Sequence, residues 1–194
     1  MAKTMPDATP LPLLYLLTTG GTIAGKAADA TQTTDYTAGV LNAAELLAAV
    51  PAIHEIARLS SEAVANIDSK DMTEALWRKL AKRAAACLSD PKATGVVITH
   101  GTDTLEETAY FLSLTLPATK PVVLTGAMRP ATAVSADGPA NLLNAARLAV
   151  SPAARDRGVL VTMNDEIFSP ASVTKGSPSR LDAFAAPNGG ADGA

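Results

Sequence analysis

The chain has 194 residues, 47% of them hydrophobic, enough material for a single domain with a sizeable buried core. A formal net charge of −3, no lysine–arginine run and only 4% aromatic residues argue against a nucleic-acid groove or an anionic membrane surface. One cysteine, Cys87, excludes an intrachain disulfide, and two histidines far apart in sequence, His54 and His100, form no zinc constellation.

Lys3 and the apolar run Leu11–Leu17 faintly resemble a secretory signal. The run is short, however, and passes straight into Thr18-Thr19-Gly20-Gly21 with no small-residue cleavage pattern. It reads better as a first buried strand, Leu13–Thr18, after a disordered extension over residues 1–10, and a cytoplasmic protein is expected. No stretch approaches the ~20 apolar residues of a membrane span. Thr19–Val40 is polar and long enough for a functional lid. Asn42 can cap a helix over Ala43–Val50, closed by Pro51. Ile56–Ile67 alternates as a strand would. Asp71 can cap a helix over Met72–Leu88 with Leu76, Leu80, Ala84 and Cys87 or Leu88 on one face. Strands follow at Gly95–Thr99, Pro121–Thr125 and Gly158–Met163, with helices at Leu105–Leu116 and Pro139–Val150 between them. Past residue 176 the pattern fades, and 177–194 reads as a linker or frayed tail.

This alternation predicts an α/β domain over residues 11–176, with a mostly parallel, doubly wound sheet flanked by helices. Ligands of such sheets bind outside the carboxyl ends of the strands. Five informative loops fall at those ends: Thr19–Gly25, Asn66–Lys70, His100–Asp103, Gly126–Pro130 and Asn164–Glu166.

Two of these loops hold a threonine in a tight turn straight after an apolar run: Thr18-Thr19-Gly20-Gly21-Thr22-Ile23-Ala24-Gly25 and His100-Gly101-Thr102-Asp103-Thr104. A hydroxyl held beside backbone N–H groups and a carboxylate is what nucleophilic attack on an amide requires. Bland alternatives stand beside each. Thr22 could be an exposed turn residue. Gly20-x-x-x-x-Gly25-Lys26 nearly spells a phosphate loop, but Ala27 replaces the hydroxyl residue that binds magnesium. Asp103 and Glu106 could be only a helix capping box. Ser69 could be turn chemistry, Tyr36 and Lys175 solvated loop residues, and His100 a satisfied histidine at a strand end. Arg129-Pro130 and Asn164-Asp165 could simply shape loops.

Taken together, the strings resemble the bacterial-type L-asparaginase family, in particular its type II branch. The matching motifs are TTGGTIAG at Thr18–Gly25, NIDSKDMT at Asn66–Thr73, VITHGTDTLEETAYFL at Val97–Leu112, PVVLTGAMRP at Pro121–Pro130, SADGPANLLNA at Ser135–Ala145 and GVLVTMND at Gly158–Asp165. The resemblance implies hydrolysis of the side-chain amide of L-asparagine, and in some members L-glutamine, without metal or cofactor, in a homotetramer. By matching motif it implies Thr22 as nucleophile with Tyr36 beside it, and Thr102, Asp103 and Lys175 as a second triad. It also implies substrate contacts from Ser69, Thr102, Asp103, Gly21 and Ala127. The position after Ser69, commonly Gln or Glu in this branch, is here Lys70, which bears on amino-group recognition. The family's smaller C-terminal domain is missing from this sequence, so an incomplete catalytic half is expected.

In chemical terms, a threonine hydroxyl needs a nearby base. Tyr36 would assist Thr22, while Lys175, oriented by Asp103, would activate Thr102 or a water. Backbone N–H groups near Gly101–Thr102 or Ala127 would stabilise the oxyanion. The competing readings are a phosphate-loop NTPase and a non-catalytic amino-acid-binding domain.

Overall fold

Short β-branched runs form a six-stranded sheet, and the helices between them cover both of its faces. The structure is a computed structural model that describes residues 10–33 and 35–194; of the extension expected at 1–10, only Pro10 lies within that range. The strands are β1 (Leu13–Gly20), β2 (Arg58–Ile67), β3 (Ala93–Thr99), β4 (Val122–Thr125), β5 (Val159–Met163) and β6 (Glu166–Phe168). They lie in the order β2-β1-β3-β4-β5-β6, and all neighbours are parallel except β5 and β6. The expected doubly wound, mostly parallel α/β fold is therefore present. Its strand order reverses between β1 and β3, and the crevice opened by such a reversal is where these sheets hold ligands.

Alternation along each strand sends side chains into two cores. Leu14, Leu16, Val97 and Val123 pack beneath α1 (Ala43–Ala48), α2 (Ile53–Ile56) and α5 (Gly138–Val150). Leu17, Val96, Ile98 and Leu124 pack beneath α3 (Glu74–Ser89) and α4 (Leu105–Thr115). Alanine at 145, 146 and 149 lets α5 lie close to the strands: a Cβ placed on Gly95 would come within 3.0 Å of the Ala149 carbonyl oxygen. The alanine-rich helical segments are thus a close-packing device rather than a propensity effect alone.

Helix starts follow capping chemistry. Asn42 and Glu45 form a reciprocal capping box at α1, as Asn42 suggested. The start of α3 differs from expectation. Asp71 ends a short 3₁₀ turn over Ser69–Asp71, Met72 is extended, and Thr73 Oγ1 accepts the Leu76 N–H at 3.3 Å as the true cap. The Asp103–Glu106 capping box is absent as well, because Thr104 occupies the cap position of α4 without a side-chain bond.

Asn164 (φ 50°) and Asp165 (φ 66°) form the two-residue turn of an antiparallel hairpin, since positive φ at both positions matches the strands' twist. That loop, expected at the carboxyl end of a strand, lies there and closes a β5–β6 hairpin. The segment after residue 176, expected as linker or frayed tail, packs onto the body. Its β8 (Phe184–Ala185) pairs with β7 (Thr174–Lys175), and Ala183, Phe184 and Ala186 are buried beside Phe168 and Val173. Further on, Ile167 donates its N–H to Gly193 at 2.8 Å. The apolar residues scattered in this stretch suffice to dock it.

The loops at the carboxyl ends are tied together by buried Asn141 on α5. Its Nδ2 donates to the Gly126 carbonyl and to Asp137 Oδ2, each at 3.1 Å, and its Oδ1 accepts the Asn164 N–H at 3.1 Å. Asp137 in turn accepts the N–H groups of Met128 (2.9 Å) and Arg129 (3.0 Å). Replacing Asn141 by alanine strips partners from several buried groups at once and should cost about 2–3 kcal/mol in urea unfolding. Asn144→Ala, which removes only exposed bonds to Asp165 and Arg147, should leave the midpoint nearly unchanged; equal losses in both variants would refute the tie.

Candidate active site

The switch point is built on glycine. At the end of β1, Gly20 (φ 101°) and Gly21 (φ 79°) adopt a conformation that disfavours side chains. A Cβ on Gly21 would lie 2.4 Å from the Gly101 Cα, so the two threonine turns meet backbone to backbone. Thr22 follows, nearly buried at 7% exposure, and its Oγ1 lies 2.6 Å from the Tyr36 Oη. The loop carrying Tyr36 folds back through paired bonds between Lys26 and Thr37, each 2.9 Å. Gly25 leaves room for the Tyr36 ring, since a Cβ there would sit 2.8 Å from Cδ2. The turn after Gly21 is a three-residue 3₁₀ piece ending in extended Gly25, not the helix that a phosphate loop opens. The NTPase reading is thereby corrected.

At the end of β3, Thr102 is 5% exposed. The Lys175 ammonium donates to Thr102 Oγ1 at 2.8 Å and to Asp103 Oδ1 at 2.6 Å. Ser69 is buried and its Oγ accepts the Asp103 N–H at 3.1 Å, while a Cβ on Gly101 would lie 2.5 Å from that same Oγ. Seven of the eight residues named from the sequence thus belong to one neighbourhood: Gly21, Thr22, Tyr36, Ser69, Thr102, Asp103 and Lys175. The eighth, Ala127, follows Gly126, the glycine packed against the Thr102 turn. It has no exposed surface and its side chain joins the core beneath α5, beside Gly138.

Lys70, the unusual cation, turns to Asp68 at 3.0 Å, and that hydrogen bond raises its pKa. It is held at the rim rather than on Ser69 or Asp103. Arg129 likewise serves its own loop, donating to Ser135. A cleft of about 340 Å³ opens beside the triad, lined by Asp103, Glu106, Lys175, Gly176, Ser177 and Pro178. A slightly larger hollow of about 360 Å³ lies by Asn144, Arg147 and Asp165 and holds none of the threonine-site residues. Of the two, only the smaller cleft is lined by site residues named from the sequence, Asp103 and Lys175. Among the described residues, no three histidine, cysteine or acidic side chains converge on a metal position.

Sequence reasoning missed two contributors. Glu106 reaches β7, accepting the Thr174 hydroxyl at 3.1 Å and the Lys175 backbone N–H. The other is a chain of polar groups behind Thr102, starting at the sole tryptophan. Trp77 Nε1 donates to Thr108 Oγ1 at 2.7 Å, and Thr108 lies 3.0 Å from His100 Nε2. His100 Nδ1 sits 2.7 Å from the Gly101 carbonyl oxygen, which can only accept. Nδ1 must therefore carry the proton, and Nε2 accepts from Thr108. His100 is the satisfied strand-end histidine its position suggested, and a neutral one.

Burial lowers the His100 pKa from 6.5 to about 4, offset in part by the Gly101 carbonyl. Between those values the unfolded chain binds a proton that the folded chain refuses. Stability must therefore fall as pH drops from about 6.5 and level off below about 4, a total of about 3 kcal/mol. His100→Gln removes this linkage, so its unfolding free energy should vary less with pH across that window. Parallel curves for the two proteins would show that His100 is not the source.

Residues 13–193 match the family described as Asparaginase, N-terminal. L-asparaginase 2 of Bacillus subtilis is 49% identical over 174 residues, covering 90% of this chain and 46% of the relative. A protein of Haemophilus influenzae described as a probable periplasmic L-asparaginase is 48% identical over 194 residues, 100% of this chain and 54% of its own length. The crystal structure of a probable cytoplasmic L-asparaginase from Campylobacter jejuni superposes with a TM-score of 0.91 at 49% identity, covering 93% of this chain and 55% of that one. The chain spans about half the length of the curated relatives it matches. On this match across nearly all of its length, the chain belongs to the asparaginase family and corresponds to its N-terminal domain.

Proposed function

We propose that this chain carries the threonine machinery of an amidohydrolase that converts L-asparagine to L-aspartate and ammonia. The observation that carries the reading is the contact of two threonine-bearing turns at Gly21 and Gly101, with one hydroxyl beside a phenol and the other beside an ammonium. Family membership and the relatives' names supply the substrate class. In this reading Thr22 Oγ1 attacks the side-chain amide carbon and its proton passes through Tyr36. The C–N bond breaks, ammonia leaves with that proton, and an aspartyl ester remains on Thr22. Water then cleaves the ester, restoring the hydroxyl.

Thr102 has a different part. Its oxygen accepts from Lys175, which leaves its own hydroxyl proton free to orient toward the substrate or the hydrolytic water. Asp103 keeps the ammonium on that oxygen. Ser69 and Asp103 are the proposed contacts for the substrate's α-carboxylate and α-ammonium, and L-glutamine is a second substrate on the same reading. Backbone N–H groups at Gly101–Thr102 serve as oxyanion donors, each worth about 3 kcal/mol in such sites. No bound metal or cofactor enters the scheme. The same family reading makes the assembly a homotetramer; the proposed compartment is cytoplasmic, as the name of the Campylobacter jejuni neighbour says of that protein, whereas the Haemophilus influenzae relative is named periplasmic.

Ammonia release from L-asparagine by the 194-residue chain is the test. Thr22→Ala should lower turnover by on the order of 10³-fold or more, and Thr102→Val comparably, with far-UV circular dichroism unchanged. Full turnover in Thr22→Ala would remove the nucleophile assignment. A folded wild-type chain that binds L-aspartate without releasing ammonia from L-asparagine would favour the amino-acid-binding alternative.

A further inference from the structure

Lys175 has little of the fold behind it. It ends β7, a strand of two residues paired only with another of two, outside the six-stranded sheet. Its side chain is nonetheless 15% exposed and its ammonium meets Thr102 Oγ1 within 2.8 Å. Something must fix the backbone from which that long, flexible side chain reaches. Glu106 does so with both carboxylate oxygens: Oε2 accepts the Lys175 N–H, and Oε1 accepts the Thr174 hydroxyl at 3.1 Å.

Glu106 lies three residues after Asp103, one turn along the same stretch of chain. It is not spent on capping, because Thr104 caps α4 without it. A single helical start therefore presents two carboxylates to one lysine, one to its ammonium and one to its backbone. Glu107, the adjacent acid, is exposed.

We propose that Glu106 is a positioning residue: its carboxylate clamps β7 so that the Lys175 ammonium is held on Thr102 and Asp103. The proposal rests on the reading of Thr102 and Lys175 as working groups, and it makes a structural claim that can be checked without turnover. Without the clamp, β7 keeps its two-residue pairing with β8 and the ammonium loses its fixed origin. A chain-specific consequence follows for the conservative variant. Glu106→Gln keeps an acceptor oxygen for the Lys175 N–H, whereas Glu106→Ala keeps none.

The test compares Glu106→Ala, Glu106→Gln and Glu107→Gln in the 194-residue chain, using lysine acetylation footprinting read by mass spectrometry alongside ammonia release. In Glu106→Ala, Lys175 should lose its protection and react at the rate of exposed Lys82. Its kcat should fall by about 10–100-fold with a smaller change in KM, the signature of a misplaced group. Glu106→Gln should recover most of both properties, and Glu107→Gln should match wild type in both. Wild-type protection of Lys175 in Glu106→Ala would overturn the clamp, as would equal defects in Glu106→Gln and Glu107→Gln. If the footprint changes as expected but the wild-type chain releases no ammonia, the clamp stands and the hydrolase reading fails instead. Should Glu106→Ala not fold, Glu106→Met, which fills the same space without an acceptor oxygen, takes its place: lost protection of Lys175 there, with Glu106→Gln and Glu107→Gln near wild type, is the clamp's result, and wild-type protection overturns it.

Discussion

The contact between Gly21 and Gly101 governs this site. Strands β1 and β3 are parallel neighbours in register, Thr18 opposite Thr99, and their continuations leave the sheet toward opposite faces. Such a reversal opens a crevice, but a crevice lined by ordinary residues would keep the two turns apart. Here a Cβ on Gly21 would be 2.5 Å from the Gly101 N and one on Gly101 would be 2.6 Å from the Ser69 Cβ. Gly126 repeats the pattern, 2.7 Å from the His100 carbonyl and 3.2 Å from the Thr102 methyl. Three loops are thus packed main chain to main chain, and only the residues after the glycines have side chains to present. Those residues are Thr22 and Thr102.

Close backbone approach also buries polar atoms, and the molecule answers with hydrogen-bond networks behind the turns. The Trp77–Thr108–His100–Gly101 series stiffens the Thr102 turn from the α3–α4 side, with Trp77 stacked on Phe111 at 5.6 Å. Asn141 and Asp137 do the same for the loop after β4 from the α5 side. Networks of this kind rigidify when every member is satisfied and destabilise when one is not. Among the described residues, the Thr99 hydroxyl is the single buried side-chain oxygen without a partner. The rest of the layer beneath the site is complete.

How much of this could be read in advance depended on the range of the interaction concerned. The β1, β3, β4 and β5 strands announced themselves as short apolar runs, leucine-rich in β1 and β-branched in β3, β4 and β5, because burial on both faces leaves no polar alternation. Thr22 and Thr102 stood out because each follows glycine at the end of an apolar run, and because the strings that hold them resemble those of a known family. Glu106 was not, since its partners Thr174 and Lys175 lie 68 and 69 residues away and a local capping pattern explained it equally well. The same holds for Thr73, which outcompeted Asp71 as a cap only because Ser69–Asp71 was drawn into a 3₁₀ turn under the Thr102 loop. The tail after residue 176 misled through composition: its glycines and small residues hid a buried phenylalanine.

The two threonines are supported unequally, and this bears on how the site works. Thr22 and Tyr36 are joined by a loop that closes on itself through Lys26–Thr37 and on the core through Val40 and Leu41, both donating to Ala24. Lys175 instead reaches in from the periphery. Its pairing with Asp103, whose side chain is 55% exposed, is a half-solvated contact of a kind worth little to stability. Sinking a lysine ammonium among hydroxyls also carries a desolvation cost that such a pair scarcely offsets. Stability therefore gives no reason to place a cation on Thr102. The proposed chemistry does: an ammonium donating to that oxygen leaves the Thr102 hydroxyl proton free for another acceptor. The arrangement concentrates rigidity at the switch point and leaves the cation to be set by a single carboxylate on α4.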